Sequence, residues 1–221
     1  MTDTSNMLLV HRVFRRELRL LATMVAATEP GDVERRRRVC LHGNEMIDAL
    51  EEHHRSEDEL LWPRLAARAP EATVLAGEMQ RDHDVVGEAA SAARSGFERW
   101  AASDVRDELR AQLEELHRQL CAHLDREERD VLPLVGRHIT EGEWAELAER
   151  GFGSMPKSRA LVFLAHMLEG SDITEYERMM AVVPTPVRAL HKLYGRRAFQ
   201  RETAYLRGGA TLSTHTGQCA S

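Results

Sequence analysis

Two short segments of this 221-residue chain repeat one arrangement that few folds can accommodate. In each, a histidine stands where a helix needs an apolar residue, a glutamate follows four residues later, and a proline follows six residues after the glutamate. The first is His53, Glu57 and Pro63, within EDELLWPRL at 57–65; the second is His123, Glu127 and Pro133, within EERDVLPLV at 127–135. Residues four apart share a helix face, with side-chain roots about 5–6 Å apart. Each pair also has a histidine upstream: His11 precedes His53 by 42 residues, and His83 precedes His123 by 40. The chain reads as two helix pairs of the same design.

The hydrophobic period supports helices throughout this region. Aromatic residues are only 5% of the chain, which favours helices over sheets. The first helix spans about 7–27, with His11, Phe14, Leu18, Leu21 and Val25 on its inward stripe. The second spans about 33–65, capped by Asp32, with a stripe of Val39, His42, Met46, Leu50, His53, Glu57 and Leu60. Pro63 disturbs its last turns. The third spans about 71–100, with Met79, His83, Val86, Ala90 and Phe97 inward. The fourth starts from an N-cap at Ser103 and ends at Pro133 and Gly136. Its stripe is Leu109, Leu113, Leu116, Leu120, His123, Glu127, Val131 and Leu134. The expected fold is all-α: an antiparallel four-helix bundle with a helical C-terminal extension. The divisions are 1–150 for the bundle, 151–207 for the extension and 208–221 for a disordered tail.

An ionised carboxylate in an apolar bundle core costs several kcal/mol unless it is paired. No lysine or arginine lies on the inward stripes near Glu57 or Glu127. Two carboxylates and four neutral imidazoles therefore call for a cation of charge two or more. Imidazole with carboxylate and no thiolate suits iron, manganese or zinc, and iron best fits a pair of bridged ions with open positions. The three cysteines form no CxxC pair, so a Cys-rich zinc site is not indicated.

These residues resemble the hemerythrin-like HHE cation-binding domain family, in its four-histidine pattern H…HxxxE…H…HxxxE, over roughly residues 7–136. The resemblance implies a four-helix bundle around two non-haem iron ions joined by an oxo or hydroxo bridge. It assigns nitrogen ligands to His11, His53, His83 and His123, and bridging carboxylates to Glu57 and Glu127. Oxygen-carrying hemerythrins have a fifth histidine one turn after the third-helix ligand, where this chain has Gly87. That departure resembles the branch containing bacterial iron–sulfur repair and nitrosative-stress proteins, although no N-terminal cysteine-bearing domain is present.

Other residues carry weaker signals. His42 shares the second stripe but stands about 16 Å along the axis from His53, too far to ligate the same ions. It is either a core or channel-lining histidine or a proton relay. Met46 either walls a small-molecule pocket or packs in the core. His54 and Asp58 form another i,i+4 pair, rotated about 100° from the seam and read as flanking it. Glu51 with His54, and Glu114 with His117, fit a ferritin-like ExxH pattern, but both are one residue off their stripes.

From Lys157 onward the pattern is weaker. Helices are expected at 159–169, 172–182 and 187–207, and the apolar run Ala160–Leu168 reads as a core helix despite His166. The last helix carries a charge of +5 against -6 for the whole chain. It is either a solvated face packed on the bundle or a weak contact with an anionic membrane or partner. The net negative charge argues against nucleic acid. Neither a secretory signal nor a span of about 20 apolar residues is visible, so the expected location is the cytoplasm. Three uses stay open: an oxidoreductase processing peroxide or NO in stress defence, a non-enzymatic module for O2, NO or iron binding, storage or sensing, and a zinc-binding structural bundle.

Overall fold

The computed structural model describes residues 1–70 and 72–208. They form helices α1 (Ser5–Ala26), α2 (Val33–Ser56), α3 (Trp62–Arg68), α4 (Ala72–Ser103), α5 (Asp107–Arg126), α6 (Leu132–His138), α7 (Glu141–Gly153), α8 (Lys157–Leu168), α9 (Ile173–Val182), α10 (Thr185–Leu190) and α11 (Arg196–Arg207). No strand occurs among the described residues. The fold is an all-α helical bundle, as the sequence leads one to expect. Helices α1, α2, α4 and α5 form a ring in which each packs on the next and α5 closes onto α1. Their short connections make neighbours antiparallel.

The helix starts follow local chemistry. Asp32 accepts the Arg35 N–H at 3.0 Å and caps α2. The cap expected at Ser103 does not form. Ser103 ends α4, its hydroxyl donating to the Arg99 carbonyl at 2.9 Å, and α5 starts at Asp107. Between them Asp104 turns the chain at φ 59°, a conformation that aspartate tolerates better than most residues. Arg106 ties this turn to Asp104 at 3.2 Å and to the Thr28 carbonyl at 2.5 Å.

Neither proline ends its helix. A π-helical turn, Glu57–Leu61, joins α2 to α3, and another, Glu127–Val131, joins α5 to α6. In each, the N–H after the turn reaches back five residues to a glutamate carbonyl: Trp62 to Glu57, Leu132 to Glu127. Pro63 and Pro133 follow at once. A proline lacks an N–H and crowds the carbonyl four residues back, and one extra residue in the turn relieves that crowding. The helix therefore continues to His138 rather than stopping near Pro133 and Gly136.

The apolar core is split into two. One part holds Phe14, Leu18, Met46, Leu50, Val86, Phe97, Leu116 and Leu120. The other, at the far end of the bundle, holds Met7, Leu61, Trp62, Met79, Val131 and Trp144. Between them, on all four bundle helices, lies a layer of histidine and glutamate.

The C-terminal helices are not a separate layer. Phe163, Leu164, Met167, Met179, Val183 and Leu206 belong to the first core, and the Phe163 ring stands 6.0 Å from that of Phe14. Capping boxes start α7 at Thr140–Glu143 and α9 at Asp172–Glu175. A third π-helical turn, His191–Gly195, interrupts the basic helix expected at 187–207. Gly195 is required there, because a Cβ would lie 2.8 Å from the Leu161 carbonyl. Arg207 turns inward to Glu17 and Glu169, so this helix is tied to the bundle. Of the tail expected at 208–221, all but Gly208 lies outside the described residues.

Candidate metal centre

The polar layer is built by register. On α1, His11 lies between Met7 and Phe14; on α4, His83 lies between Met79 and Val86. Glu57 and Glu127 open the two π-helical turns, and both are fully buried. The widened turns therefore begin at the carboxylates themselves.

Two sets of ligand-type atoms converge here. His11, His53, Glu57 and Glu127 form one, and His54, His83 and His123 form the other, each with its atoms within 4.8 Å of one another. Glu57 reaches both: Oε1 lies 3.4 Å from His53 Nε2 and Oε2 lies 3.5 Å from His83 Nε2. Glu127 Oε2 lies 3.4 Å from His11 Nε2 and 3.8 Å from His123 Nε2. All six sequence-predicted site residues are thus brought together.

The structure adds His54, which the seam argument placed on the flank. It is buried and stacks on His83, with ring centroids 4.0 Å apart and planes 6° from parallel; the His123 centroid is 5.0 Å away. His53 turns instead toward α1, 5.3 Å from His11 and 5.4 Å from Phe14. The two neighbours straddle the seam because the buried sector of α2 is wider than one line of residues. Gly43, Ile47, Leu50, His54, Glu57 and Leu61 form a second buried stripe at spacings of 3 and 4, and that stripe was the available signal. The ferritin-like alternative is not formed at Glu51, which pairs with Arg94 at 3.0 Å.

The donor set fits a cation. Nε2 of His11, His53, His54, His83 and His123, and both oxygens of Glu57 and Glu127, are buried with no hydrogen-bond partner among the described residues. Buried polar groups are ordinarily satisfied, and leaving one unpaired costs about 1–3 kcal/mol, more for a charge. So many orphaned acceptors facing one space are what metal ligands look like without the metal.

The opposite edges of two rings are held in place. His11 Nδ1 meets Glu128 Oε1 at 2.8 Å, and His83 Nδ1 meets Asp58 Oδ1 at 2.8 Å. Glu128 is steadied by Arg15 at 2.5 Å, and Asp58 by the Trp62 indole at 2.9 Å. With Nδ1 as donor, Nε2 is left as a lone pair aimed at the glutamates.

Electrostatics agree. Burial pushes His53 down to about 4 and His123 down to about 3, and holds His54 well below its ordinary value, so these three stay neutral. Burial also lowers His83, but its hydrogen bond to Asp58 and the nearby charge of Glu57 outweigh this and raise it to about 9. Burial, and then the charge of Glu57, push Glu127 well up. Burial also raises Glu57, but the facing imidazoles win and draw it down to about 2. Protons take up the work of balancing charge when no metal is bound.

His42 and Met46 lie elsewhere. His42 is buried against Glu17 at 3.2 Å, and Met46 packs in the first apolar core. From sequence His166 falls within a core helix and Glu17 carries no signal; the structure brings them 3.3 Å apart.

Fold and donor set together define a helical-bundle protein with a histidine- and carboxylate-lined metal centre. The family model for the hemerythrin HHE cation-binding domain matches residues 2–135, and the chain belongs to that family, whose domain binds metal cations, typically iron. No curated protein and no solved structure matches the chain. No helix among the described residues is long and apolar enough to cross a membrane.

Proposed function

We propose that this chain is a non-haem di-iron protein that binds or reacts with a small oxidant: peroxide, NO or O2. The observation that carries the reading is Glu57, whose two oxygens face the two histidine sets separately. A carboxylate so placed suits a pair of ions, with Glu127 closing the same gap from α5. When bound, iron supplies exchangeable positions and a change of oxidation state.

The chain's own residues set the conditions. Two apolar cores enclose the layer and keep bulk water out. Asp58 and Glu128 hold the protons at Nδ1 of His83 and His11 and fix those rings. The ligand roles of His11, His53, Glu57, His83, His123 and Glu127 belong to this proposal, with His54 added.

A second reading, a non-enzymatic module for O2, NO or iron binding or sensing, is favoured by His54. It brings the imidazoles in the layer to five, although Gly87 leaves the third-helix position empty. Fewer open positions favour holding a small ligand over turning it over. Peroxide consumption by the iron-loaded protein decides between the two: repeated turnover supports the enzyme, and a stable adduct after anaerobic NO without turnover supports the binding module.

A further inference from the structure

A second histidine cluster lies outside the bundle centre, where α2 meets α8 and α11. We infer that His42, His166 and Glu202 form a separate site for one divalent transition-metal ion.

The ligand atoms of these three residues lie within 4.8 Å of one another. His42 Nδ1 stands 3.6 Å from Glu202 Oε1, and the two imidazoles stack with centroids 5.8 Å apart. Both histidines are buried, at 3% and 1% exposure, and His42 Nδ1 and His166 Nε2 have no hydrogen-bond partner among the described residues.

What fixes them is Glu17, fully buried on α1. Its Oε2 takes His42 Nε2 at 3.2 Å and its Oε1 takes His166 Nδ1 at 3.3 Å. Glu17 therefore anchors one nitrogen of each ring and holds His42 Nε2 as a donor, while Arg16 also reaches His166 Nδ1 at 3.4 Å. The other nitrogen of His42, Nδ1, faces Glu202. Carboxylate behind imidazole, with the free nitrogen forward, is the arrangement by which proteins orient histidine ligands. Two histidines and one carboxylate are a sufficient donor set for zinc or a similar ion, with a position left for water.

Charge supports the same conclusion. Glu17 and Glu169 are matched by Arg16 and Arg207. Glu202 and Glu45 share only Arg159. Burial lowers His42, but Glu17 and Glu202 outweigh it and raise it to about 9, so in the metal-free protein a proton on this ring balances the remaining charge, the place a cation would take. A cavity of about 690 Å³ between α2 and α11 is lined by His42 and Glu202, and by five arginines. His42 stands eleven residues before His53 on α2, about 16 Å along the axis, so the two centres share no ligand.

The test is equilibrium dialysis against zinc alone, comparing the full-length wild type with Glu202→Gln, His166→Gln and Glu57→Ala. Glu202→Gln and His166→Gln are each expected to bind one zinc fewer per chain, or to hold that zinc at least tenfold more weakly. Both are expected to keep the wild-type iron content of the bundle centre, and Glu57→Ala to keep the His42 zinc. The inference fails if both variants bind zinc as the wild type does, or if Glu57→Ala loses every zinc. Should His166→Gln not fold, Glu202→Gln decides alone, since it keeps shape and sits at the cavity wall.

Discussion

Asp58 and His83 come from different helix pairs of the bundle, and a 2.8 Å hydrogen bond joins them across it. Asp58 directly follows Glu57, so one π-helical turn presents a carboxylate to Nε2 of His83 and another to its Nδ1. Glu127 and Glu128 treat His11 in the same way. The internal repeat in the sequence is thus a repeat of function: each turn after an HxxxE serves a histidine of the opposite pair.

Asp58→Asn and Glu128→Gln are expected to leave the fold intact and weaken metal retention about 10–100-fold, by freeing a ring and weakening its nitrogen as a donor. Competition with a graded series of chelators measures this. Unchanged retention in both variants would remove the orienting role.

Glu57→Ala or Glu127→Ala is expected to reduce the bundle centre to at most one iron per chain, since each takes away a carboxylate shared by the two histidine sets. Iron analysis after anaerobic loading and desalting reads the result directly. Retention of two irons by either variant is incompatible with shared carboxylates.

His54→Ala tests the residue that the seam argument missed. Its loss is expected to weaken one iron at least tenfold and to shift the optical spectrum of the other. A spectrum and iron content identical to wild type would return His54 to a packing role.

In the metal-free protein, burial raises Glu127 in the folded state above its ordinary value of 4.5. The folded chain then holds a proton that the unfolded chain releases, so stability falls as pH rises above about 4.5. Glu127→Gln removes this dependence. Metal-free Glu127→Gln is expected to be the more stable at pH 7, and the gap to close as pH is lowered toward 4.5. Urea melts of both proteins across that range follow the difference. A gap that widens on acidification contradicts the sign.

Gly43 permits the close approach of α2 to α4. A Cβ there would lie 2.2 Å from the Phe97 ring, and Phe97 is itself buried. Gly43→Ala is expected to destabilise the chain by about 1–3 kcal/mol despite its better helix propensity. A melt at or above the wild-type temperature would show that the ring can move aside.

Much of this was legible in the sequence because the period of the stripes and the position of the ligands are the same fact. His11, His83 and His123 each replace one core residue on an otherwise apolar line. His54 was not legible on a single line. At the layer where two ions would sit, the interior is wide enough for adjacent residues of one helix, and the second stripe through Gly43, Ile47 and Leu50 carries it inward. The prolines signalled a disturbance but not its form, since a π-helical turn costs the sequence no marker other than the proline it accommodates. Glu17 and His166 were hidden for another reason. Glu17 pairs with Arg207 on the last helix and His166 pairs with Glu17 on the first, each far away in sequence.

The central claim is a coupled pair of irons between Glu57 and Glu127. Its most direct test is an iron count on the loaded, air-oxidised protein combined with its electron paramagnetic resonance spectrum. Two ferric ions per chain in the bundle centre with no resonance of isolated ferric iron is the expected result, because a bridged pair couples its spins. A resonance accounting for all the iron as isolated ions, or a colourless protein that takes up none, would contradict the account.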